Sequence, residues 1–306
     1  VPARTGDRAG TTNLLRRGAV RCHGNPDAPF AARCSPSGNI FYHGNAMTQL
    51  MKVAVSGKGG SGKTTISGTL ARACASKGYE VLAIDDDENP NLSLTVGVPR
   101  EQSVPPVPND LLERVELPSG ETELELSKSP EEIIEQHGTA APDGIRLLKM
   151  GEVDHAGSGC MCRAHSTARE VLSGVVETRD EVTVMDMVAG VEHLGRGTTK
   201  DVDTLLVVVE PYYKSLETGR RTRDLAAELG IPEVNVVANK VRDDDDRAAI
   251  EEFCDNNDLT ITSVVPYDDA VRRADQEGTA PYDYDPSAPA VTAVADLADD
   301  LLSTHD

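Results

Sequence analysis

Tryptophan is absent from this 306-residue chain and phenylalanine occurs three times, so the core it builds has to be aliphatic. No apolar run approaches the roughly 20 residues a membrane span needs, which disfavours a membrane partner. Arg16-Arg17 is followed by no apolar stretch, so no secretory leader is read there. The six cysteines are scattered apart from one close pair and make no disulfide framework. A reducing cytoplasm is the expected compartment. Lysine is scarce too: 9 of the 30 basic residues are Lys and 21 are Arg.

Acid is abundant where lysine is not. The formal net charge is −21, with 51 Asp and Glu. An acidic chain poor in lysine and aromatics reads as a salt-adapted, halophilic surface. At about 1 M salt the Debye length is about 3 Å, so repulsion among surface carboxylates is largely screened. The same charge disfavours a broad nucleic-acid surface.

The charge is unevenly spread. Residues 1–46 hold six Arg and two Asp, a net of +4, which leaves −25 on residues 47–306. Gly, Pro, Asn and Ser are scattered through 1–46 with no apolar period, so the stretch reads as disordered or non-native. Met47 and Met51 stand just before the first apolar run, and a natural start at one of them is the expectation. Residues 47–306 are expected to form a single domain. Its short apolar runs lie at 52–56, 81–85, 145–150, 182–186, 204–210, 234–240 and 261–266. Helical patterns at about 63–77, 165–177, 214–229, 245–256 and 289–303 alternate with them. Near-continuous apolar strands suit a parallel sheet buried on both faces, so the expected fold is a doubly wound α/β sheet, mainly parallel, with helices on both faces. Residues 98–143, rich in Pro and Glu, read as an insertion with a short helix near 130–136.

The first strand runs into SGKGGSGKTT, residues 56–65, which fits the P-loop pattern G-x-x-x-x-G-K-[ST] from Gly57 to Thr64. Gly57, Gly59, Gly60 and Gly62 let backbone N–H groups turn towards phosphate oxygens, and the next helix presents its N-terminus to the same anion. Lys63 is placed to reach the β- and γ-phosphates, and the Thr64 hydroxyl to bind Mg²⁺. Ser61 and Thr65 complete the loop.

Lys58 sharpens the reading. The string K-G-G-S-G-K-T-T resembles the deviant Walker A motif of the ATPase class that includes nitrogenase iron protein, arsenical-pump ATPases and the septum-positioning and DNA-partitioning ATPases. The resemblance implies a homodimer in which Lys58 reaches the partner's nucleotide. Asp85, Asp87, Asn89 and Asn91 match the first switch of that class, with Asp87 positioning the attacking water. Asp85 and Asp86 have an alternative reading as salt-adapted surface acid. Asp186, ending the run VTVMD, suits the surroundings of Mg²⁺, and Gly190 would offer an N–H to the γ-phosphate. Asn239-Lys240 resembles the adenine-contacting pair of the class, which favours ATP over GTP.

The strings AGVEHLGRGTT, residues 189–199, and LLKMGEVDHAGSGCMC, which ends at Cys162, narrow the resemblance to the carbon monoxide dehydrogenase nickel-insertion ATPases. It runs from about 51 to 303. It implies an ATP-hydrolysing metallochaperone that serves a client metalloenzyme, carbon monoxide dehydrogenase or another nickel enzyme. It also implies that Gly159-Cys160-Met161-Cys162 is the metal-binding segment. Two cysteines at i and i+2 close a disulfide awkwardly. Soft thiolates suit Ni²⁺, Zn²⁺ or Cu⁺, and a two-fold dimer would supply four of them from Cys160 and Cys162. His155 and His165 read as ordinary polar residues, and Cys74 as core rather than ligand.

Two rival functions follow from the same class. A partitioning or positioning ATPase acts on DNA or a protein partner, and its membrane-binding versions end in a basic amphipathic helix, whereas this sequence runs VADLADDLLSTHD. An electron-transfer ATPase carries a cluster cysteine in its second switch, and residues 186–199 contain none. The surface reading generates its own test. Between about 0.1 M and about 2 M KCl the thermal midpoint is expected to rise as carboxylate repulsion is screened. An unchanged midpoint would refute salt adaptation.

Overall fold

The computed structural model describes residues 51–87, 89–108, 111–116, 122–150, 174, 181–188 and 202–305. In chain order the elements are β1 (Lys52–Gly57), α1 (Lys63–Ser76), β2 (Val81–Asp86), α2 (Leu92–Thr95), β3 (Leu112–Glu116), β4 (Thr122–Leu126), α3 (Pro130–His137), β5 (Thr139–Ala140), β6 (Arg146–Lys149), β7 (Val182–Met187) and β8 (Thr204–Val209). There follow α4 (Tyr213–Leu229), β9 (Glu233–Val241), α5 (Asp244–Asp255), β10 (Thr260–Pro266), α6 (Asp269–Glu277), α7 (Pro281–Tyr284) and α8 (Pro289–His305).

All seven predicted strands form, and with β5 they make one sheet in the order β10-β9-β8-β1-β7-β2-β6-β5. Every pairing is parallel except β5 with β6. All residues of β1, β7 and β8 are buried, as a sheet covered on both faces requires. Alternate side chains along one strand serve opposite faces. Leu205, Val207 and Val209 of β8 join Leu216 and Ala226 of α4 and Ile250 of α5 in one core cluster. Leu206 and Val208 join Ile66 and Leu70 of α1 and Val294, Leu297 and Leu301 of α8 in the other. These two aliphatic layers are the core that the lack of aromatics demands.

Four of the five predicted helices appear as α1, α4, α5 and α8; the fifth, at 165–177, falls outside the described residues save for Gly174. The helix expected near 130–136 is α3. Its start carries a capping box, with Ser129 accepting from the Glu132 N–H and Glu132 accepting from the Ser129 N–H. The proposed insertion also contains an antiparallel hairpin, β3 with β4, outside the main sheet.

One charged side chain ties distant segments together. Arg72 of α1, almost fully buried, makes a forked pair with Asp283 of α7 at 2.6 and 2.8 Å and reaches Asp143 and the Val96 carbonyl. The planar guanidinium satisfies three partners and grips the Asp283 carboxylate with two parallel bonds, a fork that a lysine ammonium does not present. Among the described residues no helix is long and apolar enough to cross a membrane.

Candidate functional site

The site is built at the carboxyl end of β1. The loop after the strand closes through a bond from the Ser61 N–H to the Lys58 carbonyl at 3.1 Å. Gly62, the residue before α1, has a left-handed backbone with φ 97°. A Cβ there would collide with the amide nitrogen of Asn239. Gly57 has φ 149°, and a Cβ would lie 2.5 Å from the Val208 carbonyl oxygen. Glycine is therefore required at both positions. The N-terminus of α1 carries neither a side-chain cap nor an acidic residue in its first turn. Its free N–H groups and partial positive charge are left for an anion.

The acidic side of the site comes from strand register. Asp85 of β2 pairs directly with Asp186 of β7, so two buried carboxylates stand side by side at the strand ends. Ser67 of α1 donates to Asp186 Oδ1 at 3.1 Å. Burial pushes the Asp186 carboxyl up to about 6, against the pull of the Thr64 hydroxyl, Lys63 and Ser67. Burial, and then the charge of Asp186, push Asp85 up to about 7. Asp85 accepts from the Leu92 N–H at 2.9 Å and from the Asp87 N–H at 3.3 Å, so it holds the ends of the loop that presents Asp87, Asn89 and Asn91. The alternative reading of Asp85 as surface acid is thus corrected: it is 2% exposed and structurally engaged. Asp86, half-buried, is also pushed up to about 7 by burial and by Asp87.

The opposite wall comes from β8 and β9. Asn239 donates to the Ser61 carbonyl at 2.7 Å, through the gap that Gly62 leaves open. Lys240 has φ 59°, unusual for a residue with a side chain, and this bend sends its ammonium to the Gly60 carbonyl and to Glu210 Oε1, the latter at 3.0 Å. Lys58 lies against Tyr212. Between the walls runs a cleft of about 860 Å³, lined by Gly59, Gly60, Gly62, Lys63, Thr64 and Thr65 at one end and by Asp87, Asn239 and Lys240 beside them. Further along, the Arg242 guanidinium stacks 4.3 Å from the Tyr267 ring centroid, and both residues line the cleft.

The structure therefore gathers Lys63, Thr64, Asp87, Asn239 and Lys240 around one cleft, with Asp186 beside Thr64 and Lys58 at the loop's shoulder. Gly190, Cys160 and Cys162 lie outside the described residues. Cys74 is core, as expected, with its thiol pushed up to about 12 by burial. Among the described residues no His, Cys, Asp and Glu group of three or more forms a metal site. Sequence reasoning missed Ser67, Glu210, Tyr212, Arg242 and Tyr267. Ser67 had a readable signal, four residues after Lys63 on the same helix face.

Three buried oxygens in or beside the loop, Asp186 Oδ2, Ser61 Oγ and Ser56 Oγ, have no hydrogen-bond partner among the described residues. Buried polar groups are seldom left so, and a magnesium-bound phosphate chain supplies partners of both kinds. The residues present fit ATP with Mg²⁺.

A glycine-lined loop between a buried parallel strand and a bare helix N-terminus defines a P-loop nucleotide-binding protein. Residues 52–282 match the CobQ/CobB/MinD/ParA nucleotide binding domain, and the chain belongs to that family. It is a nucleotide-binding ATPase. The carbon monoxide dehydrogenase accessory protein CooC of Rhodospirillum rubrum is 40% identical over 78% of this chain and 91% of its own length. An uncharacterized ATP-binding protein of Methanocaldococcus jannaschii is 37% identical over 74% of this chain and 88% of its own. The MinD cell division protein of Aquifex aeolicus shares the fold, with a TM-score of 0.62 at 21% identity, covering 82% of this chain and 97% of that one.

Three raised carboxyls make stability depend on pH. Asp85, Asp86 and Asp186 hold protons to about 7, about 7 and about 6, above the ordinary carboxylate value. Between about pH 4 and about pH 7 the folded chain thus binds more protons than the unfolded one, and these groups make stability fall as pH rises. In protein freed of magnesium and nucleotide, the thermal midpoint should drop between about pH 5 and about pH 8. Asp186→Asn should shallow that slope. A parent midpoint that climbs, or a variant slope equal to the parent's, contradicts this account.

Proposed function

We propose that the chain is a cytoplasmic, ATP-hydrolysing metallochaperone that dimerises and delivers nickel to a metalloenzyme such as carbon monoxide dehydrogenase. The observation that carries this reading is the 40% identity with an accessory protein of carbon monoxide dehydrogenase over most of both chains. The C-x-C pair and the extra Lys58 in the sequence support it.

In this reading the N–H groups of residues 57–65 and the α1 N-terminus hold the phosphates, and Lys63 neutralises the β- and γ-phosphates. Thr64 and Asp186 hold Mg²⁺, which balances charge on the phosphate chain. Asp87 orients the attacking water, Gly190 meets the γ-phosphate and Lys58 crosses to the partner's nucleotide. Asn239 and Lys240 border the adenine. Burial raises the proton affinity of Asp186, and a divalent cation beside it is what would favour its charged form instead. Cys160 and Cys162 of two protomers together hold the cargo metal, Ni²⁺ or Zn²⁺. The rival reading, a positioning ATPase working at a membrane, has little to use: the apolar face of α8, including Val294, Leu297 and Leu301, is already spent in the core.

Lys63→Ala is expected to abolish ATP turnover with loss of nucleotide affinity, whereas Lys58→Ala should keep ATP binding and lose dimer-dependent hydrolysis. Calorimetric titration with size analysis separates the two; equal loss of binding would contradict the division of labour.

The metal prediction is independent of turnover. Elemental analysis of the sized dimer should find one divalent metal per dimer, reduced on acidification because thiolates are the ligating form. Cys160→Ser and Cys162→Ser should each lose it. One metal per monomer, or undiminished metal in both variants, rules out a shared four-thiolate site.

A further inference from the structure

Lys58 is not free in this protomer. Its ammonium lies 3.4 Å from the Tyr212 hydroxyl and 5.2 Å from the Tyr212 ring centroid, so one residue meets it with both an oxygen and a π face. The hydroxyl is committed elsewhere as a donor: it gives its proton to Glu210 Oε2 at 2.8 Å. A phenol that donates to a carboxylate keeps its oxygen lone pairs for another donor, and the Lys58 ammonium is the donor beside it.

The far end of this chain is equally defined. Glu210, with its side chain 14% exposed, accepts from Lys240 through Oε1, and Lys240 also holds the Gly60 carbonyl of the P-loop. The Glu210 backbone N–H is fixed by the Ser215 hydroxyl, itself buried, at 3.0 Å. The line thus runs from Lys58 through Tyr212, Glu210 and Lys240 back to Gly60. Tyr212 has no other task in view. It occupies the N-cap position of α4, yet its side chain makes no capping bond. It is 40% exposed, so core packing does not require a tyrosine there.

From this geometry we infer that Tyr212 is a positioning residue for Lys58, holding the lysine on its own protomer in the resting state. The inference rests on the reading that Lys58 acts across a dimer. A lysine that must reach a partner's nucleotide has to leave Tyr212 first, so the contact opposes dimer-dependent hydrolysis. Glu210 sets the strength of the hold, because it orients the hydroxyl. Lys240 links that carboxylate to the loop that receives the phosphates. Both contacts of Lys58 are open to water, so the hold is weak, of the order expected for an exposed cation–π pair, about two- to five-fold in population.

The test uses the whole protein with Tyr212→Ala and Tyr212→Phe. Acetic anhydride at limiting dose, followed by mass spectrometry, reads the availability of Lys58 in the nucleotide-free protein. Lys77, at the other end of α1 and paired with Asp299, is the internal reference. Lys58 acetylation relative to Lys77 should rise about two- to five-fold in Tyr212→Ala. Tyr212→Phe, which keeps the ring and loses the hydroxyl, should rise by less. The protein concentration giving half-maximal specific ATPase activity should fall in the same order. If Tyr212→Ala does not fold, Tyr212→Phe alone decides. Unchanged Lys58 acetylation, or a higher half-maximal concentration, overturns the role of Tyr212. Parent activity that does not depend on protein concentration strikes instead at Lys58 as a trans-acting residue, and the acetylation ratio still decides whether Tyr212 holds it.

Discussion

The register of β1 between β7 and β8 is the constraint on which the site depends. It pairs Val55 with Asp186 on one side and Gly57 with Val208 on the other. The first pairing fixes a buried carboxylate beside the loop, and the second sets how close the loop backbone lies to β8. Moving β1 by one residue would turn its side chains to the opposite face and break both arrangements together. The sheet is parallel and covered on both faces, so the strand ends are the only places where polar groups of several strands can meet. That explains why Asp85, Asp186, Glu210 and Asn239 gather together, each within two residues of the carboxyl end of its strand.

The strands were legible because burial on both faces writes itself as an unbroken apolar run. The large helices were legible because each covers the sheet with a regular stripe. The elements that escaped are small or lightly anchored. α6 buries only Ala274, and its sequence DAVRRADQE offers almost no apolar stripe to read. The hairpin of β3 and β4 stands apart from the main sheet, and exposed glutamates hide its alternation. In the site, the local part was readable: Gly57 to Thr65 form one continuous loop. Of the parts contributed from afar, Asp186, Asn239 and Lys240 were named through resemblance to a class, whereas Glu210, Tyr212, Arg242 and Tyr267 were not. Tyr212 meets Lys58 across 154 positions, and the bond from Asn239 to Ser61 spans 178; no spacing rule within a motif shows contacts that far apart. Asp85 carried two readings, a switch residue and surface acid. In an acid-rich chain the second is always open, and the parallel partner strand decides for the first by burying it.

Scarcity gives the lysines meaning. Of nine in the chain, Lys58, Lys63 and Lys240 stand at one loop. Arg242 extends the cationic side of the cleft. In a chain of net charge −21 this is a local gathering of cations, set among the carboxylates Asp87, Asp268 and Asp275 of the same cleft, and it gives a polyanion a place to bind. The cations are not left bare. Glu210 sits among these cations and pairs with Lys240, so part of the positive charge is compensated before any nucleotide arrives.

That compensation sets an order among the cations. Lys63 is the first residue of α1 and is buried there, so the helix anchors it beside the loop. Lys240 is bound twice, to the loop carbonyl and to Glu210, and a bent backbone holds it there. Lys58 is held only through the hydroxyl and ring of an exposed tyrosine. A polyanion entering the cleft competes first for the cation whose present partners are weakest. Between a half-buried ion pair and an exposed cation–π contact, the second yields more readily. The architecture therefore keeps two lysines as fixed walls of the phosphate site and leaves the third able to move.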